Sequence, residues 1–258
     1  VQTCALPILA VVSISRSNGI RATAHALMKL DTVAIASGGD GWSVADTVTI
    51  PGGTGTASVL TVATLGLFNS AYNMNAAGTG ITPGQVLTMS GGTFSLAAQI
   101  TVTSVGIQTL ALTAAGAGHA VNDIFELSGG TGAPVARVKV TGVIAGAITT
   151  FSLSAAGAVN GQYTGSLPTS FTQGASIVGT GTGATFNTPT WGVGDSGETG
   201  VMDATVTRAG SYTVKGATLT HASGFSITVP SGGWAVASAT ITTAGSYSAL
   251  PPISMATA

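Results

Sequence analysis

From Thr32 onward the chain alternates. Val138 and Val140 are interleaved with Arg137 and Lys139, Leu110 and Leu112 with Thr109 and Thr113, and Phe151 and Leu153 with Thr150 and Ser152. A period of two puts successive side chains on opposite faces, so these segments predict strands with one buried and one wet face. Thr, Val and Ile dominate them, while Gly, Asn, Asp and Pro interrupt them at short intervals, the pattern of antiparallel structure with tight turns. Only Asn18 to Leu30 keeps a helical period: Asn18 can cap it, and Ile20, Ala24 and Leu27 share one face. Arg21, His25 and Lys29 form a basic stripe on another face. Such a stripe could grip a phosphate or a partner, but a solvated polar face is the simpler account.

The alternation carries a longer period. Gly39-Asp40-Gly41-Trp42 leads to Asp46-Thr47-Val48-Thr49-Ile50 and then Gly52-Gly53-Thr54. The same order returns in Gly78-Thr79-Gly80-Ile81, Gln85-Val86-Leu87-Thr88-Met89 and Gly91-Gly92-Thr93. A third copy reads Gly116-Ala117-Gly118-His119, Asp123-Ile124-Phe125-Glu126-Leu127 and Gly129-Gly130-Thr131. The copies are spaced by 39 and 38 residues, which makes them an internal repeat whose units stack to bury a shared core. Each unit has room for about three short strands. A tandem array of antiparallel β repeats, elongated and all-β apart from the short N-terminal helix, is the expected fold.

A second recurrence marks strand ends. Leu112-Thr113-Ala114-Ala115-Gly116, Leu153-Ser154-Ala155-Ala156-Gly157, Val206-Thr207-Arg208-Ala209-Gly210 and Ile241-Thr242-Thr243-Ala244-Gly245 all close on glycine, as a positive-φ turn or a close backbone approach requires. Ser211-Tyr212 and Ser246-Tyr247 give the later copies a different flavour. The expected organisation is therefore an N-terminal segment over 9–31, a repeat array over 32–190 and a second β-repeat region over 191–258. Ala258 falls soon after a repeat opens, with no capping element, so further chain is expected beyond it.

Residues 1–8 stand apart. Gln2-Thr3-Cys4-Ala5-Leu6-Pro7-Ile8 resembles the translation of a common short-read sequencing adapter and is expected to be an artefact of an environmental contig, excluded from fold reasoning. The apolar run from Ala5 to Val12 lacks the basic flank and small-residue cleavage site of a signal peptide. Cys4 is the single cysteine, so neither a disulfide framework nor a thiolate metal site is expected.

Composition narrows the partners. Charged residues make up 6% of the chain and the net charge is −1, against roughly 25% charged residues in ordinary soluble domains. The surface must then be built from Thr, Ser, Asn, Gln and Gly. No electrostatic footprint for nucleic acid or anionic lipid is present, and no apolar run reaches the ~18 residues that cross a bilayer as a helix. Low charge favours association, so a homo-oligomer is expected, with a trimer favoured.

Four constellations could carry chemistry. Gly194-Asp195-Ser196-Gly197 is similar to the nucleophile motif of chymotrypsin-like proteases, but Glu198 stands where that family has Gly, and His119 occupies the slot filled elsewhere by Trp42 and Ile81. Gly179-Thr180-Gly181-Thr182-Gly183 could cradle an anion, yet no Lys follows and strands flank it, so a turn is expected. Asp46, Gln85 and Asp123 recur at one position and could ladder calcium. A side-chain bond to the backbone of a turn explains them better, because Gln is a weak ligand and no second carboxylate travels with it. Tyr163, Tyr212, Tyr247, Trp191 and Trp234 could stack on sugars or fill the core, and core is the simpler expectation. No catalytic residue, cofactor or metal ligand is assigned.

With the repeat laid out, the chain resembles the Gly/Thr-rich repeat segments of bacteriophage tail-fibre and other virion structural proteins. The residues carrying this are Ile50-Pro51-Gly52-Gly53-Thr54-Gly55-Thr56, Gly181-Thr182-Gly183-Ala184-Thr185-Phe186-Asn187 and the Ala-Gly-Ser-Tyr runs at 209–212 and 244–247. The resemblance implies an oligomeric scaffold exposed on a virion, in contact with other virion proteins and with a host-surface glycan. A bacterial surface or secreted adhesin is the rival reading. A polysaccharide depolymerase would need paired carboxylates, which do not stand out here.

Overall fold

The computed structural model describes residues 29–50, 54–68, 73–153, 160–193 and 204–249. Most of the expected helix lies outside them. Lys29 and Leu30 at its end are not helical, and the Leu30 N–H donates to the Ala244 carbonyl at 2.9 Å. The described chain is all-β. Its strands are β1 (Thr47–Ile50), β2 (Thr54–Thr56), β3 (Ser58–Leu67), β4 (Asn73–Ala77), β5 (Val86–Thr88), β6 (Thr93–Leu96), β7 (Gln99–Val102), β8 (Val105–Ala117), β9 (Ile124–Ser128) and β10 (Arg137–Ile144). They continue as β11 (Ala147–Ser152), β12 (Ser170–Val178), β13 (Thr182–Val193), β14 (Ala204–Arg208), β15 (Ser211–Val214), β16 (Thr218–Thr220), β17 (Phe225–Thr228), β18 (Trp234–Thr243) and β19 (Ser246–Ala249).

The pairing is antiparallel throughout the described ladders and builds five sheets. The largest runs β11-β10-β9-β12-β13-β8, its two edges curling toward each other into a nearly closed barrel. A five-stranded sheet runs β1-β3-β15-β6 with β18 also on β3, and smaller sheets run β14-β7-β5, β16-β17-β4 and β19-β2.

The three sequence repeats are three copies of one turn and strand. Ser43 to Asp46, Thr82 to Gln85 and Ala120 to Asp123 each form a turn closed by an N–H to carbonyl bond of 3.2, 3.2 and 3.1 Å. The third residue of each turn has positive φ: Ala45 at 73°, Gly84 at 80° and Asn122 at 76°. From each turn the backbone bonds onward to one valine, Val62 to Asp46 at 2.8 Å, Val102 to Gln85 at 2.9 Å and Val140 to Asp123 at 2.8 Å. That register aligns Leu60, Ile100 and Val138, and likewise Leu65, Val105 and Val143.

The units are not self-contained. A unit of about 40 residues or fewer cannot bury both faces of a sheet alone, and here the missing strand comes from the second half of the chain. β3 pairs with β18 (Leu60 opposite Ile241), β7 with β14 (Ile100 opposite Val206) and β10 with β11 (Val140 opposite Phe151). The repeats go out in the order outer, middle, inner, and their partners return in the order inner, middle, outer. Only the inner hairpin closes directly, on Ala145 and Gly146 with φ of 50° and 79°, the doubly positive turn that suits the twist of a two-residue hairpin. The middle hairpin is interrupted by the whole inner module, and the outer by the middle. Strands on both sides of residue 190 therefore share sheets, which the tandem reading had not anticipated.

One apolar cluster runs through all three modules, from Val62 and Leu65 through Ile100, Phe125 and Phe186 to Trp234 and Val236. Outside it, threonine hydroxyls pair across strands, Thr61 with Thr242, Thr101 with Thr207, Thr109 with Thr190 and Thr141 with Thr150. They take the place that charged pairs hold on ordinary sheets.

Candidate functional site

The Asp/Gln position of the repeat binds its own turn. Asp46 Oδ2 accepts the Ser43 N–H at 2.7 Å, Gln85 Oε1 the Thr82 N–H at 3.1 Å and Asp123 Oδ2 the Ala120 N–H at 3.0 Å. Carboxylate and amide are interchangeable there because each presents one oxygen to one backbone donor. The expected turn bond is present three times over.

In the inner module this turn lies against the glycine-rich segment. β12 ends at Val178 and β13 begins at Thr182, so Gly179 to Gly181 joins two strands and Gly183 lies within β13, with Gly179 and Gly183 at φ of 93° and 83°. A Cβ on Gly181 would overlap the imidazole of His119. The His119 side chain is 1% exposed, 5.7 Å from the Phe125 ring and 3.6 Å from Asp123 Oδ2 through Nδ1. It sits in the slot that Ile81 fills in the middle module, and neither ring nitrogen has a hydrogen-bond partner. His119 thus packs as an apolar-slot residue. Ser196 and its neighbours lie outside the described residues, as do Arg21 and His25. Among the described residues no three of His, Cys, Asp and Glu gather closely enough to hold a metal.

The aromatic residues lie at the joints between modules. Tyr212 is fully buried, its hydroxyl accepts the Ala98 N–H at 2.9 Å, and its ring meets Trp234 edge-on at 4.9 Å. Tyr163 repeats this one module further in, accepting from Ala136 at 3.2 Å and meeting Trp191 at 5.1 Å. Tyr247 repeats it one module further out, accepting from Ser58 at 2.5 Å and donating to Ser58 Oγ at 2.8 Å. Burial raises the Tyr163 and Tyr212 pKa above the usual phenol value. Backbone donation from Ala136 and Ala98 opposes the shift, as does the Arg208 charge near Tyr212. Tyr163, Tyr212, Tyr247 and Trp234 are buried in the core, and Trp191 is half-buried against it.

The joint includes a close backbone approach. Leu67 donates to the Ala209 carbonyl at 2.8 Å, Ile107 to Asn160 at 2.9 Å and Leu30 to Ala244 at 2.9 Å, so Ala209, Asn160 and Ala244 are one position. The residues just before Leu67 and Ile107 are Gly66 and Gly106. A Cβ on the first would come within 2.9 Å of the Ala209 Cβ, and on the second within 3.2 Å of the Asn160 Cβ. The inner module carries no further module, and its counterpart of these glycines is Ile144, 72% exposed. Sequence reading missed the joint because Asn160-Gly161-Gln162-Tyr163 does not spell Ala-Gly-Ser-Tyr. The shared signal was a glycine two residues before each tyrosine, at 161, 210 and 245.

The chain matches no protein-family model, no curated protein and no solved structure.

Proposed function

We propose that the chain is a non-catalytic structural component of a virion, of the tail-fibre or particle-surface kind, that works as an assembled β scaffold and not as an enzyme. The observation that carries this reading is the repeated joint. The recurrent polar groups, at Asp46, Gln85, Asp123 and the three tyrosines, are engaged in holding turns and modules together. A chain built this way is a spacer whose length is set by the number of modules.

Assembly follows from the surface. β6 is an edge strand exposing Phe94 and Leu96, with Val214 exposed on its neighbour β15. Few charges guard that edge, and an uncharged apolar edge is a template for pairing between chains. A homotrimer in an elongated array, bonded to other virion proteins, is the arrangement proposed. Light scattering of the purified chain should give a trimer mass, and negative-stain microscopy rods of uniform width. Monomers at micromolar concentration would refute the assembly. Labelling of isolated cell envelopes, and not of particles, by an antibody to the chain would favour a bacterial surface adhesin.

A further inference from the structure

We propose that the seam of the inner barrel is a binding groove for a neutral saccharide. The edges β8 and β11 approach each other without forming a ladder, leaving a cavity of about 430 Å³. Gln108, Thr109, Thr149, Thr150, Ser152 and Asn160 supply its polar lining, and Leu110, Phe151 and Leu153 its apolar lining. That volume falls within the ~300–1,000 Å³ range of small-molecule sites.

The internal repeat shows what is particular to this place. Phe151 stands opposite Val140 where the other modules set Ala204 opposite Val102 and Ala239 opposite Val62. Asn160 holds the position of Ala209 and Ala244, and Gln108, next after Ile107, holds that of Phe68, next after Leu67. The inner module therefore departs from the repeat by gaining an aromatic ring and two amides, all at one groove. Departures from an otherwise consistent pattern collect at functional sites.

The lining chemistry selects the ligand. Among the described residues no charged side chain lines the groove, so they offer nothing to pair with a phosphate, sulfate, carboxylate or amine. Amides and hydroxyls both donate and accept, as the alternating hydroxyls of a sugar ring require, and an aromatic and aliphatic wall suits the ring's C–H face. Two lining hydroxyls are already oriented, Thr109 by Thr190 at 2.6 Å and Thr150 by Thr141 at 2.8 Å. Ser152 Oγ is buried with no hydrogen-bond partner in the protein. The inference does not rest on the virion reading, since an adhesin could carry the same groove and a scaffold needs none.

The test is a ¹H–¹⁵N titration of the full chain with glucose, galactose, mannose, N-acetylglucosamine and their β-linked dimers. Each is raised to about 50 mM, well past the millimolar range where weak binding saturates. Expected is saturable movement of the Gln108 and Asn160 side-chain amides by at least one sugar, with no response to sialic acid or glucose 6-phosphate. Asn160→Ala restores the residue of the other two modules and should leave the melting temperature in place while weakening that sugar about tenfold. Thr242→Ala, on β18 of the outer module, should leave the affinity unchanged. Silence of the groove resonances with every sugar overturns the proposal. So does tight binding that survives both Asn160→Ala and Phe151→Ala, or a response only to an extended peptide.

Discussion

Replacing Tyr212 by Phe isolates the hydrogen bond that locks the middle module to the outer one. The ring stays, and with it the edge-on contact to Trp234 at 4.9 Å and to Phe94 at 5.3 Å. What is lost is the acceptor for the Ala98 N–H, 2.9 Å away and separated from Tyr212 by 114 residues of chain. Ala98 and Tyr212 are both fully buried, so water does not replace the hydroxyl. An unpaired buried donor costs about 2 kcal/mol, which for a chain of this size is a fall of about 4–8 °C in melting temperature. Calorimetry measures that fall, and amide exchange locates it, because the Ala98 N–H should lose protection in the variant before its neighbours Ile100 and Val102 do. A melting temperature within about 1 °C of the parent, with Ala98 still protected, would refute the reasoning, since a shift that small corresponds to well under 1 kcal/mol.

Three further outcomes follow from the same geometry. Phe125→Asp places a carboxylate between His119 and Phe186, rings 5.7 and 6.1 Å from Phe125; it should cost about 3–5 kcal/mol, and an unchanged thermal melt would remove Phe125 from the core. Tyr163 and Tyr212 ionise above the phenol range in the fold, chiefly because burial disfavours the phenolate. The unfolded chain then releases these protons first, near pH 10. Their contribution is intact below that pH and is lost as pH rises beyond it. Denaturant midpoints should hold from neutral pH to about 9 and then decline, less steeply in Tyr212→Phe, and a midpoint that rises above that range would contradict the burial. Asp123→Ala removes the acceptor of the Ala120 N–H and should cost about 1 kcal/mol; millimolar calcium should leave the parent's melting temperature where it was, and a calcium-dependent rise would return Asp46, Gln85 and Asp123 to the role of ligands.

Local chemistry was legible in the chain. Alternation at Val138 and Val140 gave strands, the Asp46, Gln85 and Asp123 series gave turns, and the slot shared by Trp42, Ile81 and His119 gave a buried histidine. Each depends on residues close in sequence. The nesting was hidden because a repeat identifies equivalent units without saying which distant strand completes each one. Trp191 and Trp234 are equivalent, pairing with Ile107 and Leu67, yet they lie 28 and 22 residues after their tyrosines, so no fixed spacing exposes them. The groove was invisible for the same reason. Gln108, Phe151 and Asn160 share no motif and meet only because the sheet edges β8 and β11 curl toward each other.

The nested order of the modules is tested most directly by paramagnetic relaxation from a nitroxide at position 240, in a Thr240→Cys chain with Cys4→Ser. Thr240 lies opposite Thr61 in the β3–β18 ladder, across 179 residues of sequence. The account predicts that the amides of Leu60, Thr61 and Val62 broaden strongly while those of the inner module, Phe125 and Val138 among them, stay sharp. Broadening confined to residues after 204, with Thr61 untouched, would mean that the second half of the chain folds on itself and that the modules are not nested.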